Sequence, residues 1–200
     1  MTKLRIRLAD WRDRESIIPL RRLLSRPVDG GLYELLNWPV YHCHAAVVDG
    51  KTVGFTAVAL HLDGVADDVG TVVYPEFRNQ GIGSELRATQ VRDLELMGFG
   101  SLFCAASMSN QSAIQWCNDI MGLPVGQIES AYLDPHLYYG SSLDNIKFNL
   151  KSLGVREPFP LSDVNVERLL LKFQRAVRDA SQIQALGDFN MRKAMLRQDL

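Results

Sequence analysis

Leu4, Ile6 and Leu8 alternate with Lys3, Arg5 and Arg7 at the start of the chain, the period-2 pattern of a half-buried strand. Asp10 or Asp13 then caps a predicted helix whose apolar positions are Ile17, Ile18, Leu20, Leu23 and Leu24. Arg26-Pro27 and Gly30-Gly31 end it, and a short helical turn, LYELLN, runs to Trp38-Pro39. Two apolar runs around Asp49-Gly50-Lys51 predict a hairpin with a tight Asp-Gly turn. Val69 to Tyr74 reads as a further strand with Pro75 at its end, since proline cannot donate to a ladder.

From Gly81 to about Met97 the period becomes helical, with Ile82, Leu86, Val91, Leu94 and Met97 as core positions, and Gly98 and Gly100 break it. Leu102 to Ala106 is continuously apolar, the pattern of a strand covered on both faces. Ser109 or Asn110 caps a second helix that ends at Gly122. Leu123–Tyr132 and Ile146–Leu150 read as two strands separated by a polar, aromatic loop, DPHLYYGSSLD. This order predicts an α/β (α+β) fold: a mixed sheet with helices on both faces.

After Pro158 the pattern changes. Ser162-Asp163 can cap a helix carrying Val166, Leu169, Leu170, Phe173, Ala176 and Val177, and a shorter helix follows Gly187. The expected organisation is a domain over residues 1–157 and a helical C-terminal extension over 158–200. Two readings of the extension stand side by side: a helix packing on its own domain, or a contact with a second copy or a protein partner.

Composition adds exclusions. Two hundred residues, 46% of them hydrophobic and 22% charged, suffice for a core without covalent staples. The net charge of -1 and the lack of a basic face argue against nucleic acid as a partner. Cys43, Cys104 and Cys117 fit no zinc or redox spacing, and their scatter suits a reducing compartment. The N-terminus lacks a signal-like apolar core and no apolar run approaches a bilayer span, so a cytoplasmic protein is expected, without membrane or metal.

The chemistry concentrates in VVYPEFRNQGIGSELRATQ. A strand there runs through Arg78-Asn79-Gln80-Gly81-Ile82-Gly83-Ser84 into an amphipathic helix. Amides at a helix start lack intrahelical acceptors and sit at the positive end of the macrodipole, which suits a pyrophosphate. Gly81 and Gly83 allow close backbone approach, and Arg78 adds a permanent charge. No Lys-Ser or Lys-Thr follows the second glycine, which excludes a P-loop, and the third glycine of the dinucleotide fingerprint is missing.

This stretch resembles motif A of the GNAT superfamily of N-acetyltransferases, whose signature is Arg/Gln-x-x-Gly-x-Gly/Ala. Here it reads Arg78-Asn79-Gln80-Gly81-Ile82-Gly83, preceded by Val73-Tyr74-Pro75, and the likeness extends over roughly residues 3 to 132. It implies a sheet splayed between the Val69–Tyr74 and Leu102–Ala106 strands, with the pantetheine arm of acetyl-CoA bonding backbone near Val72 and Val73. It also implies a pyrophosphate on the amides of Asn79 to Ser84, and Asn110 touching the cofactor arm.

The reaction so implied is direct attack of a primary amine, from a small molecule or a peptide, on acetyl-CoA in a ternary complex. A base frees the amine, backbone amides polarise the carbonyl, and an acid protonates the thiolate. Many relatives use a tyrosine seven residues after the asparagine for the last role. That position holds Cys117, and counting back from Gly122 reaches Asn118. Cys117 is therefore either a proton donor or a buried core cysteine. Asp67 and Asp68 either face the acceptor or form a solvated loop pair. Tyr74, Tyr138 and Tyr139 are candidate phenols, and Tyr33, Trp38, His42 and His44 are further residues on the acceptor side, the histidines being structural or exposed. Cys117, Tyr74 and Asp68 are taken forward as the catalytic candidates. The alternative is a non-catalytic module of the same fold whose C-terminal helices mediate assembly.

Overall fold

The computed structural model describes residues 4–23, 41–61, 64–130, 133–158, 166–171 and 174. One seven-stranded sheet organises them. Its strands are β1 (Leu4–Leu8), β2 (Tyr41–Val48), β3 (Lys51–Leu60), β4 (Val65–Val73), β5 (Ser101–Ser107), β6 (Gly126–Ser130) and β7 (Leu133–Ser142), in the spatial order β1-β2-β3-β4-β5-β7-β6. Every neighbouring pair is antiparallel except β4 and β5, which run parallel. The helices are α1 (Arg14–Arg21), α2 (Ile82–Leu96), α3 (Gln111–Met121) and α4 (Leu143–Ser152).

α1 covers one face. Its Ile17 and Leu20 are fully buried against Tyr41, Cys43, Phe55, Ala57, Ala59 and Val72. Ile18 and Leu23, also expected in that stripe, lie largely exposed. Asp10 caps the turn that leads into α1, accepting from the Arg12 N–H at 2.8 Å, while the Asp13 carboxylate accepts from the Asp10 N–H at 3.0 Å. That reciprocal capping box is tied to the sheet by Arg7, which grips Asp13 with two bonds of 2.7 and 2.8 Å, and by Thr52 at 3.0 Å.

The opposite face is covered by α2, α3 and α4 over Val58, Ala66, Leu102, Cys104, Ala106 and Tyr139. Leu169 of the helical residues 166–171 is buried in this same cluster. The β2–β3 hairpin turns through Asp49 (φ 48°) and Gly50 (φ 79°), the two left-handed residues that match the turn to strand twist.

Four expectations are corrected. The segment expected as a polar loop, DPHLYYGSSLD, forms most of β7, because pairing to β5 from Ser101↔Ser142 to Ser107↔His136 overrides its weak local preference. Ile146–Leu150, expected as a strand, lies in α4. Ser142 caps that helix by accepting from the Asn145 N–H at 3.2 Å, and Leu143, Ile146 and Leu150 form its buried stripe. Leu102 to Ala106 is covered on one face only, since Ala105 is exposed. The Leu123–Tyr132 strand is shortened to β6, with Leu123 and Val125 exposed before it. Gly30-Gly31, LYELLN, Tyr33 and Trp38 lie outside the described residues.

Candidate active site

β4 and β5 share only three rungs, Val65↔Ser101, Ala66↔Leu102 and Asp67↔Phe103. Beyond Asp67 the two strands part. The rest of β4 keeps β3 as its partner, and Cys104 to Ser107 pair with β7. The sheet therefore opens as a V, and a cavity of about 490 Å³ fills it. The edge of β4 from Asp67 to Val73 forms one wall, and Phe103 to Ser107 with Asn110, Trp116 and Cys117 form the other. Arg78, Asn79 and Gly81 to Ser84 close its far end.

At that end Pro75–Phe77 make a single 3-10 turn. Asn79 (φ 59°) and Gly81 (φ 79°) then reverse the chain in the left-handed region, where the absence of a Cβ favours glycine. Gly81 is the N-cap of α2 and offers no side chain to its first turn, so the leading amides are left to an external acceptor. A Cβ built on Gly83 meets nothing nearer than Trp116 Nε1 at 3.8 Å, so the approach to these amides is clear. Exposed Arg78 bonds the Val73 carbonyl through Nε at 3.0 Å. Gln80 bonds the Glu76 carbonyl at 3.3 Å and is not part of the cavity wall. Asn110 caps α3, its Oδ1 accepting from the Ala113 N–H at 3.1 Å, and lies on the wall across from Val72 and Val73.

The three catalytic candidates are not brought together. Cys117 is buried on the α3 wall with its sulfur 3.7 Å from that of Cys104. Hydrogen bonding to Cys117, followed by burial, pushes the Cys104 thiol well above its ordinary range. Tyr74 packs toward α1, its phenol donating to the Ser16 carbonyl at 3.4 Å, outside the cavity wall. Asp68 sits on the wall and accepts from the fully buried Arg87 at 2.6 Å and from the Gly70 N–H at 3.2 Å. Asp67, on the wall as well, bonds His61 at 2.7 Å. The two aspartates are thus strand residues with partners, not a solvated loop pair.

Sequence reasoning missed the cation behind this wall. Arg87 also bonds Gln90 and Thr71, the latter at 3.3 Å, and Gln90 bonds Thr56 at 3.0 Å, which in turn meets Thr71 at 2.7 Å. Burial alone would lower the Arg87 pKa, yet the charge of Asp68 beside it raises it, so the guanidinium stays charged. Its carbon lies 5.2 Å from the centroid of Trp116. One signal was available: an arginine set between Leu86 and Val91, two of the core positions of α2.

His42 and His44 are buried rather than exposed, and they do not reach the cavity. Both bond Oδ2 of Asp93, at 3.0 and 2.9 Å, and Arg92 donates to Oδ1 at 2.8 Å. Burial would raise the Asp93 pKa, but the two histidine bonds hold it well below the usual carboxylate range. The group clips β2 to α2.

The sheet is thus parted between two parallel strands, with an uncapped helix N-terminus at the open end. Residues 7–123, more than half of the chain, match the acetyltransferase (GNAT) family. The chain belongs to that family, whose chemistry is acetyl transfer and whose usual acetyl donor is acetyl-CoA. Among solved structures, the ribosomal-protein-S18-alanine N-acetyltransferase from Escherichia coli aligns at 17% identity over 70% of this chain and 94% of its own, with a TM-score of 0.59. A probable acetyltransferase from Staphylococcus epidermidis aligns at 15% identity over 70% and 99%, with a TM-score of 0.62. An N-acetyltransferase from Staphylococcus aureus Mu50 gives 15%, 70% and 99%, with a TM-score of 0.60. At these identities the likeness is one of fold. No curated protein matches the chain by sequence. No helix among the described residues is long and apolar enough to cross a membrane.

Proposed function

We propose that the protein transfers the acetyl group of acetyl-CoA to a primary amine by direct attack in a ternary complex. The observation that carries this reading is the parting of β4 from β5 after Asp67↔Phe103, which leaves a cavity running to the uncapped start of α2. The open approach to Gly83 is the fit expected of a diphosphate cradle. In this reading the amides of Asn79 to Ser84 and the charge of Arg78 hold the pyrophosphate, with Gln80 bracing the turn from outside. Backbone of Val72 and Val73 meets the pantetheine arm, and Asn110 faces it from α3.

Acetyl-CoA supplies a thioester; the chain supplies position and protons. Backbone of the unpaired β4 edge polarises the thioester carbonyl. Cys117, on the cavity wall with its sulfur 3.7 Å from that of Cys104, is assigned to protonate the departing thiolate. Asp68, locked to Arg87, is assigned to fixing the wall rather than to free exchange of protons, and Tyr74 to holding β4 against α1.

The test is thermal unfolding with and without acetyl-CoA, followed by release of free coenzyme A on incubation with a panel of primary amines. Saturating ligand at about 100 times its Kd should stabilise the fold by about 2.7 kcal/mol. No shift at saturation would refute the cofactor site, and a shift without release for any amine would leave a binding module.

A further inference from the structure

We propose that Cys104 and Cys117 form a redox-active dithiol in the cavity wall, closed to a disulfide by a hydroperoxide, and that closure stops acetyl transfer; the second half rests on the acetyl-transfer reading above. In the chain the two lie 13 positions apart and match no redox spacing. The fold brings them together. Cys104 stands on β5 and Cys117 on α3, their sulfurs are 3.7 Å apart, and both residues border the cavity. A disulfide bond measures about 2.0 Å, so each sulfur has roughly 0.8 Å to travel, which modest side-chain rotation covers.

The two thiols divide the work. The bond to Cys117, followed by burial, holds the proton on Cys104, which makes Cys104 the resolving thiol and Cys117 the one that meets the oxidant. Burial would lower the Arg87 pKa, and both cysteines join Asp68 in raising it. That guanidinium is the permanent positive charge beside the pair, and it favours a thiolate there. The other titratable groups packed about the pair are Asp68, bonded to Arg87 at 2.6 Å, and the buried Tyr139, opposite Cys104 on β7. Cys43, the third cysteine, is buried in the α1 cluster on the other face of the sheet.

With hydrogen peroxide as the oxidant, the Cys117 thiolate attacks one peroxide oxygen. The S–O bond forms as O–O breaks, giving a sulfenic acid and a hydroxide that leaves as water with the proton Cys117 shed. Cys104 then attacks that sulfur. The S–S bond forms as S–O breaks, and the Cys104 proton departs with the oxygen as a second water. Two electrons pass from the dithiol to the peroxide, and a reducing dithiol reverses the change by exchange. In the closed form Cys117 has no proton for the departing thiolate, and α3 is tied to β5 at the cavity wall.

The experiment treats the ligand-free protein with hydrogen peroxide, alkylates the remaining thiols and digests with trypsin. No Lys or Arg lies between Arg92 and Lys147, so one peptide, 93–147, carries both cysteines of the pair and Cys43 falls in another. Peptide 93–147 should emerge unalkylated and lighter by two hydrogen atoms, with Cys43 alkylated, and dithiothreitol should restore both thiols. In Cys104→Ser the disulfide cannot form, and dimedone should capture Cys117 as a sulfenic acid. Coenzyme A release with the amine panel, read by chromatography, should fall by about 10²-fold or more in the oxidised protein and return with dithiothreitol. Two alkylated thiols after peroxide, or a dimedone adduct on wild-type Cys117 beside a free Cys104, would overturn the pair. Undiminished transfer by the disulfide form would overturn the closure. Saturating acetyl-CoA should slow oxidation several-fold by filling the cavity; equal rates with and without it would indict the cofactor site and leave the dithiol standing.

Discussion

Gly83→Val separates the ligand site from the fold. Gly83 lies inside the first turn of α2 with a φ outside the left-handed region, and a new Cβ finds only Trp116 Nε1 at 3.8 Å. The backbone therefore accepts a side chain, and replacing glycine within a helix recovers a few tenths of a kcal/mol of propensity. Unfolding should shift by no more than a few degrees. The isopropyl group, however, stands where a diphosphate would meet the amides of Gly83 and Ser84. Each hydrogen bond to a charged group contributes about 1.5–3 kcal/mol. Losing one or two of them should weaken acetyl-CoA binding by a factor of about 10 to 10⁴. Calorimetric titration with acetyl-CoA, beside thermal unfolding without ligand, reads both quantities. Gly81→Val is the contrast: at φ 79° it costs about 1–2 kcal/mol in backbone strain and should lower the melting point as well. An unchanged Kd in Gly83→Val, with the fold intact, would refute the placement of the pyrophosphate.

Arg87→Met should destabilise the protein by about 3–5 kcal/mol in denaturant unfolding, because it strands the Asp68 carboxylate in a largely buried position; adding Asp68→Asn should recover a measurable part of that loss. Gly140→Ala places a Cβ 2.5 Å from Phe103 Cε1 and should cost about 1–3 kcal/mol, relieved by Phe103→Leu in the same chain. The Asp13 pKa is depressed on folding: burial would raise it, but the bonds and charge of Arg7, the Asp10 N–H and Thr52 together outweigh it. Its contribution is therefore present above the unfolded value of about 3.9 and is lost as pH falls through the folded value. The stability gap between wild type and Asp13→Asn should be widest near pH 6 and narrow below pH 4, as read by urea midpoints.

What the sequence made legible were the features encoded within a few residues. The motif from Arg78 to Ser84, the Asp-Gly hairpin, the Asn110 cap and the five apolar positions of α2 each depend on local geometry, and each appears where its spacing puts it. The failures depend on distance in the chain. β7 contains Pro135, Gly140 and two serines, and it is a strand because β5 lies beside it. Gly140 itself is explained by the Phe103 ring above it, 37 positions earlier. The polar contacts of the site show the same dependence: Arg87 meets Asp68 across 19 residues and Asp93 meets His42 across 51, so no window of sequence displays either pair.

The neighbouring aspartates show why a residue type at a position is not yet a role. Both stand where β4 leaves β5, both line the cavity, and composition treats them alike. The pleat sends one to each face. On the α2 face a charge is tolerable only with a counter-charge, and the buried Arg87, braced by Gln90 and Thr71, supplies it. On the α1 face the partner is the His61 imidazole, at 2.7 Å from Asp67. The irregularity in the β3–β4 ladder between Ala57 and Val58 lies just beyond both, opposite Gly70 and Asp68, so it leaves their alternation intact while shifting the register of the edge from Gly70 to Val73. Side-chain pairing at the apex and the open backbone edge beyond it are thereby built from one strand, with the bulge dividing them.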